Sequence, residues 1–408
     1  MTDASVPAKG TRKRLEHIDA MRPIKQAAVI STHALIFFAP IGTSILATGV
    51  IMLTRFSRDA FLFVSACMLA YSYRDAPRIN YVHYSRRRLL AVGLPYVTWT
   101  VIYFFFTIAT PRAGFPYYSF HLARAFSATG WHYFWHLLAT GYYHLYYLLV
   151  ILEFYAIFPL MLKAFRRVPR WHVPIMVLAV AWQVLWGAAL AAHPFGFTVR
   201  GVIQTRLIIS YPVYLVGGVI VALHLDAVHD WIVSHARAIV LATLGAVALG
   251  ETLWVASHHV DVPLWLRTGP FVFSPMMLPY NVGAILCVYL LGVYLVSPRR
   301  RVTTRAAVQS GSDNSYGVYL SQLLWIPMLA RLRTSWGIHA PWEVVAPVAL
   351  VLVYALGFVF TAVMTRTPVA RAVTGRSREP WSTLIPHRIR ASTWREDRGD
   401  GPLDVTRD

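Results

Sequence analysis

The sequence predicts an all-α, polytopic integral membrane protein of about ten transmembrane helices with both termini cytoplasmic. Three observations carry this expectation. The chain of 408 residues is 57% hydrophobic and only 14% charged, too apolar for a soluble domain of that length. Its apolar residues recur in windows of about twenty, the length that crosses a hydrocarbon core of about 30 Å. Its arginines gather between those windows, and the main clusters fall on one side once the windows are threaded alternately across a bilayer.

In order, the windows lie near 23–41, 44–72, 89–110, 143–164, 173–192, 203–223, 238–256, 278–296, 314–332 and 343–364. Arg12, Lys13, Arg14 and Arg22 precede the first, and Arg74, Arg78, Arg86, Arg87 and Arg88 follow the second. Lys163, Arg166, Arg167 and Arg170 follow the fourth, Arg299, Arg300, Arg301 and Arg305 the eighth, and Arg366, Arg371, Arg376 and Arg378 the tenth. The connection after the sixth, with Arg237 against Asp226 and Asp230, gives no orientation. The opposite connections hold fewer cations. The largest, Pro111 to Tyr142, carries Trp131, His132, Tyr133, Phe134, Trp135 and His136 and reads as a lid on the outer face.

Three regions follow: a basic cytoplasmic N-terminus at 1–21, a ten-helix domain at 22–365, and an Arg-rich cytoplasmic tail at 366–408, partly helical near 368–373 and otherwise disordered. The tail is too short for a second catalytic domain. No small-residue cleavage site follows the first apolar window, so that window is expected to persist as a helix. The net charge of +20 does not point to nucleic acid, because the arginines sit between apolar windows and never interleave with aromatics in a long polar domain. Cys67 and Cys287 fall inside spans, which argues against external disulfides, and no ligand set points to a metal.

Arg22 and His33 are the most informative pair, ionisable groups at the head of and within a largely apolar span. Eleven residues of helix return His33 to within about 20° of the Arg22 face and place it about 16 Å deeper. One group would grip an anion at the head-group level; the other, an imidazole near the midplane, would act as a base shielded from bulk water. The competing reading is an interfacial anchor plus a histidine bonded to a neighbouring helix. Arg55, Arg58 and Asp59 lie in the second span, where Arg55 and Asp59 stand at the i, i+4 spacing of an ion pair; a ligand contact and a structural pair are both open. Glu153 lies mid-way along the fourth span, able to orient His33 or share a proton with an arginine, and His144 stands at its outer entrance. Glu251 has no evident companion. Arg86, Arg87 and Arg88 serve either as positive-inside anchors or as guanidinium forks for phosphate.

Several segments then converge on a known family. Leu15-Glu16-His17-Ile18-Asp19-Ala20-Met21-Arg22-Pro23 with His33 resembles the Asp-x-x-Arg opening and Arg-x10-His motif of the bacterial membrane acyltransferase family 3. Phe61-Leu62-Phe63-Val64-Ser65 resembles its Phe-Phe-x-x-Ser segment, and Arg86-Arg87-Arg88-Leu89-Leu90 to Pro95-Tyr96 the basic entry of its third helix. Gly141 to Pro159, through His144-Leu145-Tyr146-Tyr147-Leu148 and Phe154-Tyr155, and Ser315-Tyr316-Gly317-Val318-Tyr319-Leu320 resemble two further stretches, so that the likeness spans about 14–376. The chain departs from the pattern at Pro23, at Ala66 after Ser65, at Ile151, Leu152 and Glu153, and at Gln322, where a histidine is common.

The resemblance implies a multi-pass enzyme of the bacterial plasma membrane. It would transfer an acyl group, commonly acetyl, from acyl-CoA to a hydroxyl of a carbohydrate, envelope glycan or secreted metabolite. On this reading His33 is catalytic, Asp19 positions Arg22, and Glu153 assists. Arg22 with Arg86, Arg87 and Arg88 binds the phosphates of the acyl-CoA donor, while Arg58, Asp59, His144 and Tyr319 contact the acceptor. The implied partners are the donor, a hydroxylated sugar or lipid-linked glycan, and the lipid bilayer, with no tightly bound cofactor. Direct transfer and an acyl-histidine are both open. The competing class is a transporter or flippase whose pathway the same charges line; the lack of an internal repeat and the ordered motif series weigh against it. A non-catalytic scaffold is a third reading, prompted by Gln322 and Ala66.

Overall fold

The computed structural model describes residues 15–41, 43–109, 125–192, 206–263, 266, 273–298 and 300–381. Among them every regular element is helical. Helix α1 spans Glu16–Phe38; α2, Ile45–Thr54, and α3, Phe56–Tyr73, follow one another with a pinch at Arg55. Next, α4 (Tyr81–Arg88) passes through a π-turn at Leu89–Gly93 into α5 (Leu94–Ala109). Helix α6 (Ala128–Thr140) leads by a short 3₁₀ turn, Tyr143–Leu145, into α7 (Tyr146–Arg167). There follow α8 (His172–Ala192), α9 (Pro212–Leu223), α10 (Leu225–Ser234) and α11 (Ala236–Ala256). The last are α12 (Met277–Leu295), α13 (Val302–Ser335), α14 (Trp342–Met364) and the short α15 (Ala370–Thr374).

Among the described residues, six helical runs are long and apolar enough to cross a bilayer: Tyr81–Ile108, Ala128–Arg167, Pro169–Leu190, Ala236–Ala256, Met277–Leu295 and Trp342–Met364. The α9–α10 pair, bent by 105°, makes a seventh if taken as one span. The three remaining expected windows coincide with α1, α2–α3 and α13. These fall short because they carry charges and polar residues and, in α2, because the helix is only 10 residues long; α1 is enclosed by protein, packing against α13, α12, α14 and α3. Such residues are tolerated where protein rather than lipid surrounds them. The outer helices turn Leu160, Leu178, Leu185, Leu241, Leu244 and Val351 outward, the apolar band a lipid-facing surface requires.

Close backbone approaches set the central helices. Gly218 of α9 lies against the Phe63 carbonyl and Ala66 of α3, where an added Cβ would come within 2.6 Å and 2.8 Å. Pro23 packs on Gly311 of α13 without ending α1. The cationic connections are tied together at one end. Arg305 pairs with Glu16 at 2.7 Å, Arg166 donates to the Ala76 carbonyl at 2.8 Å, and Arg376 donates to the Asp313 carbonyl at 2.9 Å.

Three expectations change. The aromatic segment 128–140 is helix α6, not a lid loop, because Gly130, Tyr133, Leu137 and Thr140 recur at helical spacing and form its buried face. It lies along α5, with the Phe104 and Phe134 rings 5.5 Å apart. Residues 16–21 are the first turns of α1, with Ile18 and Met21 fully buried, so the body begins before Arg22. It also continues past Met364: Ala370, Val373 and Thr374 are buried, and Trp99 Nε1 donates to the Val373 carbonyl at 2.8 Å. Arg12, Lys13, Arg14, Arg299, most of the Pro111 to Tyr142 connection before α6, and the tail beyond Trp381 lie outside the described residues.

Candidate active site

The continuous helix α1 brings Arg22, Gln26 and His33 onto one face, since steps of four and seven residues nearly close whole turns. Asp19, buried, sits 3.5 Å from Arg22 Nε across one turn. Lys25 is also buried, its Nζ 3.5 Å from the centre of the Phe61 ring. Gln26 is fully buried, yet neither atom of its amide has a hydrogen-bond partner.

Opposite His33 stands a turn that the sequence forces. Gly141 has φ +76°, and a Cβ there would strike the backbone of Tyr146. Tyr143 follows at φ +34°, a left-handed conformation uncommon for a non-glycine residue. The turn lifts Tyr143 and His144 out of the α6–α7 run and points them at α1. The His33 ring lies 5.3 Å from Tyr143 and 6.1 Å from His144, the latter edge to face. His144 is wedged between Tyr103 at 5.5 Å and Tyr319 at 5.0 Å. The Tyr319 hydroxyl donates to the His144 carbonyl at 2.5 Å, fixing the turn to α13. Gln322, one turn along α13, lies beside the His33 imidazole.

These groups share a second property. Gln322 reaches the His33 imidazole and the Tyr319 and Leu320 backbone reaches His144, yet none of these contacts is well aligned, so His33 Nδ1, both nitrogens of His144 and both amide atoms of Gln322 are buried without a hydrogen bond of good geometry. An unpaired buried polar group costs about 1–3 kcal/mol, so native structures rarely keep one without cause. Five such atoms gather around His33, where α1, α13 and the turn at Tyr143–Leu145 come together.

At the cationic end, Arg22 and Arg88 converge on Tyr155 of α7. Arg88 Cζ lies 5.4 Å from the Tyr155 ring, and Arg22 is within electrostatic reach of the same side chain. Arg86 and Arg87 do not join them. Both are exposed, because consecutive helical residues diverge by about 100° and only Arg88 turns inward.

The other candidates are distributed. Asp59 pairs with Arg58 Nε at 3.1 Å and accepts from Asn281 Nδ2 at 2.9 Å, so the Arg55–Asp59 pairing does not form. The neighbouring arginine already occupies one carboxylate oxygen and α12 supplies the partner for the other. Glu153 accepts from the Ile208 amide at 2.8 Å and is not brought to His33 or to an arginine; it braces the chain before α9. Among the described residues no group of three or more His, Cys, Asp or Glu is placed to hold a metal.

A family model described as an acyltransferase domain, that of acyltransferase family 3, matches residues 15–366. The chain belongs to that family. The match runs from the residue before α1 to just past the last long helix, so the family domain takes in nearly all of the helical body, and the protein is a multi-pass membrane acyltransferase. No curated protein and no solved structure matches the chain. Within the family domain, His144 stands between His33 and Tyr319, and Arg22 and Arg88 both lie beside Tyr155. Sequence reasoning missed Lys25 and Gln26, whose polarity inside the first apolar window was the available signal. Gln322 registered only as a departure from the family pattern, and Arg206, at the head of the sixth window, carried no motif.

Proposed function

We propose that this family member transfers an acyl group from acyl-CoA to a hydroxyl of a carbohydrate-containing acceptor, with His33 as the base. The observation that carries the reading is the group of buried polar atoms without a well-aligned hydrogen bond around His33, on the same helix as Arg22 and about 16 Å from it by helical rise. Coenzyme A is a polyanion whose thioester ends a long thin arm. Arg22 and Arg88 would hold its phosphates at the cationic, cytoplasmic end, and the arm would run along the Gln26 face to His33.

There His33 takes the proton of the acceptor hydroxyl as the oxygen attacks the thioester carbonyl. The C–O bond forms, the C–S bond breaks, and the leaving thiolate recovers the proton from the imidazolium. His144 and Gln322 are placed to orient the imidazole or hold the acceptor, and Asp19 holds Arg22.

Purified full-length protein incubated with acetyl-CoA and a panel of sugars tests the proposal. Release of coenzyme A that depends on an added hydroxylated acceptor supports it; binding of acceptor with no thioester consumed, from any acyl-CoA tried, removes it.

A further inference from the structure

We propose that Arg55, Arg58 and Arg206 form a subsite for an oxyanion, a carboxylate or a phosphate, carried by the acceptor sugar next to the hydroxyl that His33 deprotonates. The proposal rests on the acyl-transfer reading and deepens it by naming the acceptor's chemical class.

The three arginines come from separate places: the pinch between α2 and α3, the first turn of α3, and the segment leading to the turn at Ile208–Ser210. They converge on Tyr146. Arg206 Cζ lies 5.4 Å from its ring, and Arg55 and Arg58 are within electrostatic reach of the same side chain. Arg55 is in reach of His33 and Tyr143 as well, so the cluster adjoins the base. Standing beside the base, it would receive the second substrate rather than coenzyme A.

The charge balance at this point is incomplete. Arg58 has Asp59. Arg206 donates to the carbonyls of Thr140 and Gly141 at the end of α6, the latter at 3.1 Å, contacts that orient it without neutralising it. Arg55 has no ion pair among the described residues, and its Nε is buried without a hydrogen-bond partner. Three guanidinium groups against one carboxylate is a costly arrangement away from bulk water unless an anion completes it. The aromatic surroundings serve the same purpose. Tyr211 and Phe273 lie 5.0 Å and 4.7 Å from Arg58 Cζ, holding its planar fork in place. Phosphate and carboxylate both suit such forks.

The test measures binding of radiolabelled glucuronate, glucose 6-phosphate and glucose to the detergent-purified full-length chain and to Arg55→Gln and Arg55→Lys variants. At least one anionic sugar should bind about tenfold or more tighter than glucose. Arg55→Gln should erase most of that ratio and Arg55→Lys only part of it, the lysine keeping the charge and so separating recognition from misfolding. The arm that binds distinguishes carboxylate from phosphate. Equal affinity for all three sugars, no binding of either anion, or an anion preference that Arg55→Gln leaves intact overturns the proposal. A preference that disappears with Arg55 in a protein that consumes no acyl-CoA keeps the subsite and removes the acyl-transfer reading instead.

Discussion

The imidazoles of His33 and His144 stand 6.1 Å apart at 68°, one carried by α1, the other by the turn that joins α6 to α7. The turn depends on Gly141, whose φ of +76° and contact with the Tyr146 backbone leave no room for a side chain. Gly141→Ala should therefore destabilise the protein by about 1–3 kcal/mol and displace His144. Thermal unfolding in detergent checks the first effect. Acyl transfer per folded molecule checks the second, and it should fall further than the folded fraction does.

Arg22→Lys should not behave as a conservative change. A planar fork that faces Asp19, and on the proposed reading a phosphate of coenzyme A, is replaced by a point charge, and acyl-CoA affinity should drop by about tenfold. Arg88→Gln should do the same, whereas Arg86→Gln and Arg87→Gln, at exposed positions, should change it little. Isothermal titration with a non-hydrolysable acyl-CoA analogue separates the four. Equal losses at Arg86 and Arg88 would return the cluster to a general anchoring role.

Much of this was legible beforehand, and the boundary has a physical cause. The register of Arg22 and His33 needs only helical periodicity, which α1 keeps through Pro23. Asp19 beside Arg22 is likewise local. The meeting of His33 with His144, Tyr319 and Gln322 joins residues more than a hundred positions apart, and no spacing rule reaches that far; for His144 and Tyr319 the family pattern supplied them as separate motifs. Arg55 and Asp59 satisfied the i, i+4 rule and still did not pair, because Arg58 and Asn281 meet the carboxylate first. The aromatic run before Gly141 lies between two apolar windows and so reads as part of a connection, although its buried positions follow a helical stripe.

The arginine clusters tied at one end of the bundle give a topology that can be tested directly. Reporter fusions at Arg300, before α13, should read cytoplasmic, and at His339, between α13 and α14, external. Both on one side would mean that α13 does not cross the membrane.

Gly218 lets α9 meet α3 at the Phe63 carbonyl. Gly218→Val should overpack this contact and cost about 1–3 kcal/mol, read as a lower melting temperature in detergent. An unchanged melting temperature would show that the two helices are not held at this distance.

The central claim is that His33 does chemistry, and one measurement addresses it most directly: acyl-CoA-dependent transfer per folded molecule of His33→Ala, with the melting temperature recorded on the same sample. A catalytic base contributes about 10²–10⁴-fold to rate and little to packing. The expected result is a loss of that size with a melting temperature close to the unsubstituted protein's. Specific activity near the original value, with any loss accounted for by the unfolded fraction, would contradict the account and leave His33 a packing residue.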